Sequence, residues 1–78
     1  MKEIDIEHFA NLLEKAGFSG ALDLIKENIV PIILAKKISL VEAAYQYADP
    51  EEDQDTSWYQ LWGALQNIPA KHFDPFRS

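Results

Sequence analysis

Cysteine is absent from the 78 residues of this chain, and histidine occurs only twice. Without cysteine there is no disulfide bond to stabilise a small domain and no thiolate to bind zinc. His8 and His72 lie far apart in the sequence, and neither belongs to an H-x-x-x-H or H-E-x-x-H pattern. The three glycines, at positions 17, 20 and 63, form no phosphate-binding loop. The sequence therefore predicts neither a metal centre nor a cofactor.

Long hydrophobic runs are also missing. The longest, residues 29–35, contains Pro31 and is far shorter than the ~20 apolar residues of a membrane-spanning helix. Residues 1–8 read M-K-E-I-D-I-E-H and lack the apolar stretch of a secretory signal. We therefore expect a cytoplasmic protein that makes no membrane contact.

Lysine and arginine are scarce. The chain has 7 of them against 13 aspartates and glutamates, which gives a formal net charge of −6. Nucleic acids and anionic lipids are bound mainly through cationic side chains, so this charge argues against both kinds of partner. A negative surface instead accelerates encounter with a protein that carries a basic patch. The charge therefore favours another protein with a basic surface as the partner.

No catalytic pairing of side chains is found in the sequence. The hydroxyl groups of Ser19, Ser39, Thr56 and Ser57 each stand where a helix would be capped, and no pattern couples them to a histidine. The clustered carboxylates lie in a run that we expect to be exposed to water, which does not favour general acid catalysis. The sequence therefore predicts a protein that is not an enzyme.

The periodicity of apolar residues predicts one all-α domain of four or five short helices, packed around a central apolar helix. The first helix is predicted over residues 5–16, with Asp5 as its N-cap and Gly17 at its end. The central helix is predicted over 20–37, capped by Ser19 and apolar around most of its circumference. Pro31 predicts a kink or a break, because proline lacks a backbone donor, and two pieces over residues 20–29 and 31–37 are the favoured form.

Two further helices are predicted in the second half of the chain. Ser39 and Glu42 form a capping box in the string S-L-V-E, which marks the start of one helix. Thr56 or Ser57 caps the last helix, in which an apolar stripe recurs at helical spacing: Trp58, Leu61, Trp62 and Leu65. The tail, residues 69–78, contains two prolines and is predicted to be irregular, although it carries Phe73 and Phe76.

The most unusual feature is an acidic run immediately before both tryptophans. Residues 49–55 read D-P-E-E-D-Q-D, and such dense like charge predicts a solvated loop. An EF-hand is excluded, because counting from Asp49 places Gln54 where glycine is needed and Gln60 where glutamate is needed.

Tryptophan and tyrosine are frequent anchors of protein interfaces. The predicted partner-binding residues are therefore Asp49, Glu51, Glu52, Asp53, Asp55, Trp58 and Tyr59. Periodicity favours the alternative that Trp58, Leu61, Trp62 and Leu65 form the core stripe of this helix, with Tyr59 on another face, so the aromatic helix is either core or interface.

Part of this region resembles a helix-turn-helix. The string I-S-L-V-E-A-A resembles the first helix of excisionase-like and MerR-like DNA-binding domains, and T-S-W-Y-Q-L-W could stand for the second helix. The resemblance implies a DNA-binding regulator that uses residues 39–66. Two departures weigh against it: an acidic loop replaces the tight glycine turn, and the second helix carries no lysine or arginine.

Two classes of function follow from the sequence. The first is a small interaction protein that acts as a regulator, an inhibitor or an immunity-type factor on another protein. The second is the DNA-binding regulator. The apolar central helix and the aromatic helix together offer more apolar surface than one small core hides, which also predicts a homodimer.

Overall fold

The computed structural model describes the backbone of residues 3–77 and the side chains of residues 5–77. Within this range all regular structure is helical and no strand occurs, which confirms the prediction of an all-α domain. In chain order the elements are α1 (Glu3–Lys15), α2 (Ala21–Leu24), a π-helical turn (Ile25–Ile29), α3 (Val30–Lys36), α4 (Leu40–Tyr47), α5 (Ser57–Asn67) and a C-terminal 3-10 helix (Ala70–Phe76). One buried apolar cluster takes side chains from every element except α3.

Helix α1 packs Ile6, Phe9 and Leu13 into the core, as their spacing predicts. The helix begins at Glu3, so Asp5 lies within its first turn and is not the predicted N-cap. A carboxylate there still interacts favourably with the positive end of the helix dipole. Gly17 ends the helix with a φ of 102°, a left-handed conformation that glycine adopts without a Cβ clash.

The central segment does not break at Pro31. Instead the chain forms the π-helical turn just before it, in which the Val30 amide donates to the carbonyl oxygen of Ile25. The wider turn changes the hydrogen-bond pattern ahead of the proline, and Val30 keeps helical angles of φ −57° and ψ −43°. The segment starts at Ala21, after Gly20 with a φ of 72°, and Ser19 makes no capping hydrogen bond. The prediction of Ser19 as N-cap was therefore wrong.

Only the first half of this central segment is a core element. Ala21, Ile25 and Ile29 are fully buried, whereas α3 has no buried residue. Leu34 in α3 is 73% exposed. Val30, Ile32 and Ile33 of α3 are partly buried and pack against the core. The prediction of burial on several sides was therefore wrong only for the exposed positions of this helix, above all Leu34.

Side-chain caps fix the starts of α4 and α5. The Glu42 amide donates to Ser39 Oγ at 3.2 Å, and Ser39 Oγ donates to Glu42 Oε1 at 3.1 Å, so the predicted capping box is confirmed as an N-cap. Thr56 caps α5, since its Oγ1 accepts from the Tyr59 amide at 3.3 Å. Between the two helices lie residues 48–56, which include the acidic run.

The C-terminal segment is more regular than predicted. Residues 70–76 form the 3-10 helix, and its two phenylalanines are buried. The ring of Phe9 lies 5.7 Å from that of Phe73 and 5.2 Å from that of Phe76, measured between centroids. Burial of two aromatic rings is a driving force that outweighs the local irregularity expected from the prolines. The tail therefore packs against α1 as a part of the core.

Candidate interaction surface

The acidic run forms a defined turn, which begins at Asp49. The Asp49 carboxylate accepts a hydrogen bond from the Glu51 amide at 2.9 Å. The backbone carbonyl oxygen of Asp49 accepts one from the Glu52 amide at 3.4 Å. The Asp49 amide donates to the carbonyl oxygen of Trp58 at 3.1 Å, across the turn. Asp49 is half-buried, so it differs from the solvated carboxylate predicted for this position and acts as a structural residue.

The other end of the turn is held by Thr56. Its amide and its Oγ1 both donate to the carbonyl oxygen of Asp53, at 3.1 Å and 2.8 Å. These bonds and the cap of α5 fix the backbone on both sides of the acidic residues. The side chains of Glu51, Glu52, Asp53 and Asp55 are exposed, as predicted. The turn therefore presents four carboxylates to water from a backbone held at both ends.

Trp58 lies beside this turn and not in the core. It is 42% exposed, and its ring centroid lies 6.1 Å from that of Tyr47. The Tyr47 hydroxyl is 3.0 Å from Ser57 Oγ, within hydrogen-bond distance, which attaches the end of α4 to the start of α5. The assignment of Trp58 to the core stripe was therefore wrong, and its role as a candidate partner-binding residue stays a prediction.

The buried face of α5 consists of Leu61, Ala64 and Leu65. Trp62 is only half-buried, at the edge of the core, where its ring centroid lies 6.1 Å from that of Tyr59. Tyr59 is half-buried as well and pairs with Trp62, whereas Trp58 pairs with Tyr47. The structure therefore divides the two predicted aromatic anchors between two ring pairs.

We call the acidic–aromatic surface the set formed by the turn, the exposed tryptophan and its aromatic neighbour: Asp49, Glu51, Glu52, Asp53, Asp55, Trp58 and Tyr47. The hydrogen bond between Asp49 and Trp58 brings the first residue of the turn to the first turn of α5. Tyr47 was not predicted as a member. Its position two residues before the acidic run is one sequence feature that could have indicated it.

The net charge of the protein is concentrated in this part of the chain. Residues 38–70 contain six carboxylates and no lysine or arginine, which gives −6. The remaining residues contain seven carboxylates and seven lysines and arginines, which gives zero. The acidic–aromatic surface therefore belongs to the segment of the chain that carries the net negative charge, and its exposed like charges add to one electrostatic potential.

A second surface of opposite character lies between α1 and the 3-10 helix. It is a groove of about 550 Å³, which we call the basic groove, lined by His8, Asn11, Leu12, Lys15, Lys71, His72, Pro75 and Phe76. Another depression, of about 510 Å³, combines two carboxylates, of Asp5 and Glu42, with the cations of Lys37 and Arg77. Among the described residues, no three His, Asp or Glu side chains lie close enough together to hold a metal ion.

The geometry defines a small all-α domain with one negative, aromatic surface and one basic groove. Comparisons of this chain with protein-family models, with curated proteins and with solved structures found no match. None of the helices in residues 3–77 has the length and apolar character needed to span a membrane.

Proposed function

We propose that this protein is a non-catalytic interaction domain that binds a basic surface of another protein through its acidic–aromatic surface. It would act on that protein as a regulator, an inhibitor or an immunity-type factor, in the cytoplasm. The observation that supports this function most directly is the 42% exposure of Trp58 next to the acidic turn. Tryptophan is enriched among interface anchors, and here it lies beside a cluster of exposed carboxylates.

The charge of the turn supports a basic partner. The exposed carboxylates of the turn lie within a segment of 33 residues, 38–70, that has no cation to neutralise them. Such a field raises the rate of encounter with a positive surface and lowers the rate with a negative one. The apolar ring of Trp58 would then supply the desolvated contact that slows dissociation.

The rigidity of the turn supports binding further. Hydrogen bonds at Asp49 and Thr56 constrain the backbone at both ends of the turn. A preorganised turn loses less conformational entropy on binding than a flexible acidic loop would lose. The same bonds place the carboxylates and Trp58 in a fixed relation, which favours recognition of one surface over many.

No observation favours the DNA-binding alternative. The segment that resembles a helix-turn-helix, residues 39–66, lies within the half of the chain that carries all of the net negative charge. A recognition helix lies against phosphates and needs cations close to it. The experiment on the protein partner nevertheless includes a DNA arm, because the two functions make opposite predictions there.

The proposed function is tested by capture of partners from native cell lysate on the immobilised protein in low salt. Each captured protein is identified by mass spectrometry. Two variants remove the surface: Glu51→Gln combined with Glu52→Gln and Asp53→Gln, and Trp58→Ala alone. The matched control replaces three exposed carboxylates outside residues 38–70, by Glu7→Gln, Glu14→Gln and Glu27→Gln. It changes the net charge by the same amount and leaves the turn intact.

We expect the wild type and the control to capture the same basic protein, and both variants to lose it. Captured protein should be released as salt is raised, since exposed charges are screened beyond about 10 Å at 0.1 M salt. Equal capture by the wild type and both variants would reject the acidic–aromatic surface as the binding site. Salt-sensitive binding of duplex DNA by the purified wild type would instead establish the alternative function.

A further inference from the structure

We propose that the basic groove binds the acidic turn of a second copy of this protein. The inference rests on the proposed function, because it assigns a basic partner surface to the same acidic turn. It adds a form of regulation: self-association would cover the acidic–aromatic surface and compete with its other partner.

The first argument is the charge of the groove. Two lysines and two histidines line it and no carboxylate does, although acidic residues outnumber basic ones in the chain as a whole. His8 and Lys15 stand on one wall, from α1, and Lys71 and His72 stand on the other, from the 3-10 helix. A segment with several carboxylates could therefore pair with ammonium groups on both sides.

The carboxylates nearest in sequence do not cancel this charge within the groove. Glu7 and Glu14 are exposed on α1 but do not line the groove. Asp74 lies between His72 and Pro75 in sequence, and its Oδ1 is 3.6 Å from Arg77 Nε, so its charge has its own partner. The groove therefore keeps its positive character in a protein of net charge −6.

The second argument is the apolar part of the groove. Leu12, Pro75 and Phe76 contribute apolar surface between the basic side chains. Phe76 is held by its edge-to-face contact with Phe9, at 5.2 Å between ring centroids, so this part of the groove is fixed. The groove, of about 550 Å³, is shallow and open, which suits a segment of another protein chain. An occupant that fits needs carboxylates together with an exposed apolar side chain.

The acidic turn with Trp58 has this combination, on the same molecule. Its carboxylates lie in the half of the chain with a charge of −6, whereas the groove lies in the half with a charge of zero. Contact between the acidic turn of one copy and the basic groove of another therefore sets carboxylates against a lining that contains two lysines and no carboxylate. This charge complementarity selects a second copy as the occupant.

The test is sedimentation velocity of four samples in low-salt buffer. They are the wild type, the turn variant (Glu51→Gln, Glu52→Gln and Asp53→Gln), a groove variant (Lys15→Gln and Lys71→Gln), and an equimolar mixture of the two variants. We expect the wild type to associate, and each variant alone to associate about tenfold more weakly, as the loss of two or more exposed charge pairs implies. The mixture should associate again, because one variant keeps the groove and the other keeps the turn.

The matched control for the groove replaces two exposed lysines elsewhere, by Lys36→Gln and Lys37→Gln, and should behave as the wild type. Far-UV circular dichroism verifies that each variant is folded. A wild type that stays monomeric at millimolar concentration would overturn the proposal, and so would a mixture no better than its components. If the groove variant loses association and the turn variant keeps it, an acidic segment other than the turn occupies the groove, which would also overturn the proposal. This result would leave the proposed role of the turn toward another protein intact.

Discussion

Leu61 and Leu34 offer the same side chain at opposite extremes of burial, and they test how this molecule divides core from surface. Leu61 on α5 is fully buried, with 0% exposure, and Leu34 on α3 is 73% exposed. Both lie within helices, so replacement by alanine has the same small effect on helix propensity at either position. A difference in the free energy of unfolding between the two variants therefore reports burial.

The magnitudes follow from that burial. Leu61→Ala removes a fully buried side chain and leaves a cavity, which costs about 2–5 kcal/mol. Leu34 has about a quarter of its surface covered, so Leu34→Ala should cost about 0.5 kcal/mol, a quarter of the value for complete burial. A chain of this length has a total stability of about 4–12 kcal/mol. The first variant should thus lose a large part of its stability and the second almost none.

Urea unfolding measures both variants, with tryptophan fluorescence from α5 and far-UV circular dichroism as independent probes. Coincident transitions and an unchanged dependence on urea would show that the comparison is between two-state processes. A loss above about 1 kcal/mol for Leu34→Ala would contradict the exposed position of α3. A rise in the stability of the wild type with protein concentration would indicate self-association, as both the sequence-based prediction of a homodimer and the proposed contact between turn and groove allow.

Three further changes have defined outcomes in the same urea assay. The turn variant, with Glu51→Gln, Glu52→Gln and Asp53→Gln, should stay within about 1 kcal/mol of the wild type, because these side chains are exposed; a larger loss would reveal structural contacts of the carboxylates. Phe73→Ala should cost about 3–5 kcal/mol, because its buried ring packs against Phe9; a loss near zero would show that the 3-10 helix is not docked. Gly17→Ala should cost about 1–2 kcal/mol, because its φ of 102° strains any L side chain, and no loss would mean that the turn relaxes.

Local features of this fold could be predicted from the sequence. Ser39 and Thr56 cap their helices through bonds to residues three positions away, so the chain carries the whole signal within one turn. Gly17 ends α1 for the same reason, since only its own backbone angle is involved. Such local signals indicate an all-α domain and the starts of α4 and α5, whereas the predicted N-caps Asp5 and Ser19 were wrong.

The orientation of α5 could not be derived in this way. Its most hydrophobic spacing includes both tryptophans, yet the buried face consists of Leu61, Ala64 and Leu65. Alanine contributes little to a hydrophobic pattern, but its small side chain can be enclosed completely against a neighbouring helix. Which stripe is buried is decided by the surfaces of the other helices, and this left Trp58 at the surface.

Pro31 shows a comparable limit. Its missing amide predicts a disturbed helix, but not the form of the disturbance, which depends on how Ile25 and Ile29 are held. Both are fully buried in the core, and the π-helical turn that joins them lets the helical chain continue into α3. Tertiary packing therefore determines that α3 lies at the edge of the core, with Ile32 and Ile33 packed against it and Leu34 exposed.

The two proposed binding surfaces differ in how they are encoded. The acidic–aromatic surface is almost continuous in sequence, so its charges are evident before any fold is known. The basic groove joins α1 to a segment more than fifty residues later, and it exists only because Phe73 and Phe76 pack against Phe9. Phe73→Ala should therefore disturb the groove. The turn has its own local hydrogen bonds, so it should keep its conformation in the fraction of molecules that stays folded. The acidic turn is thus the more robust recognition element, and self-association should be lost before partner binding as the core is weakened.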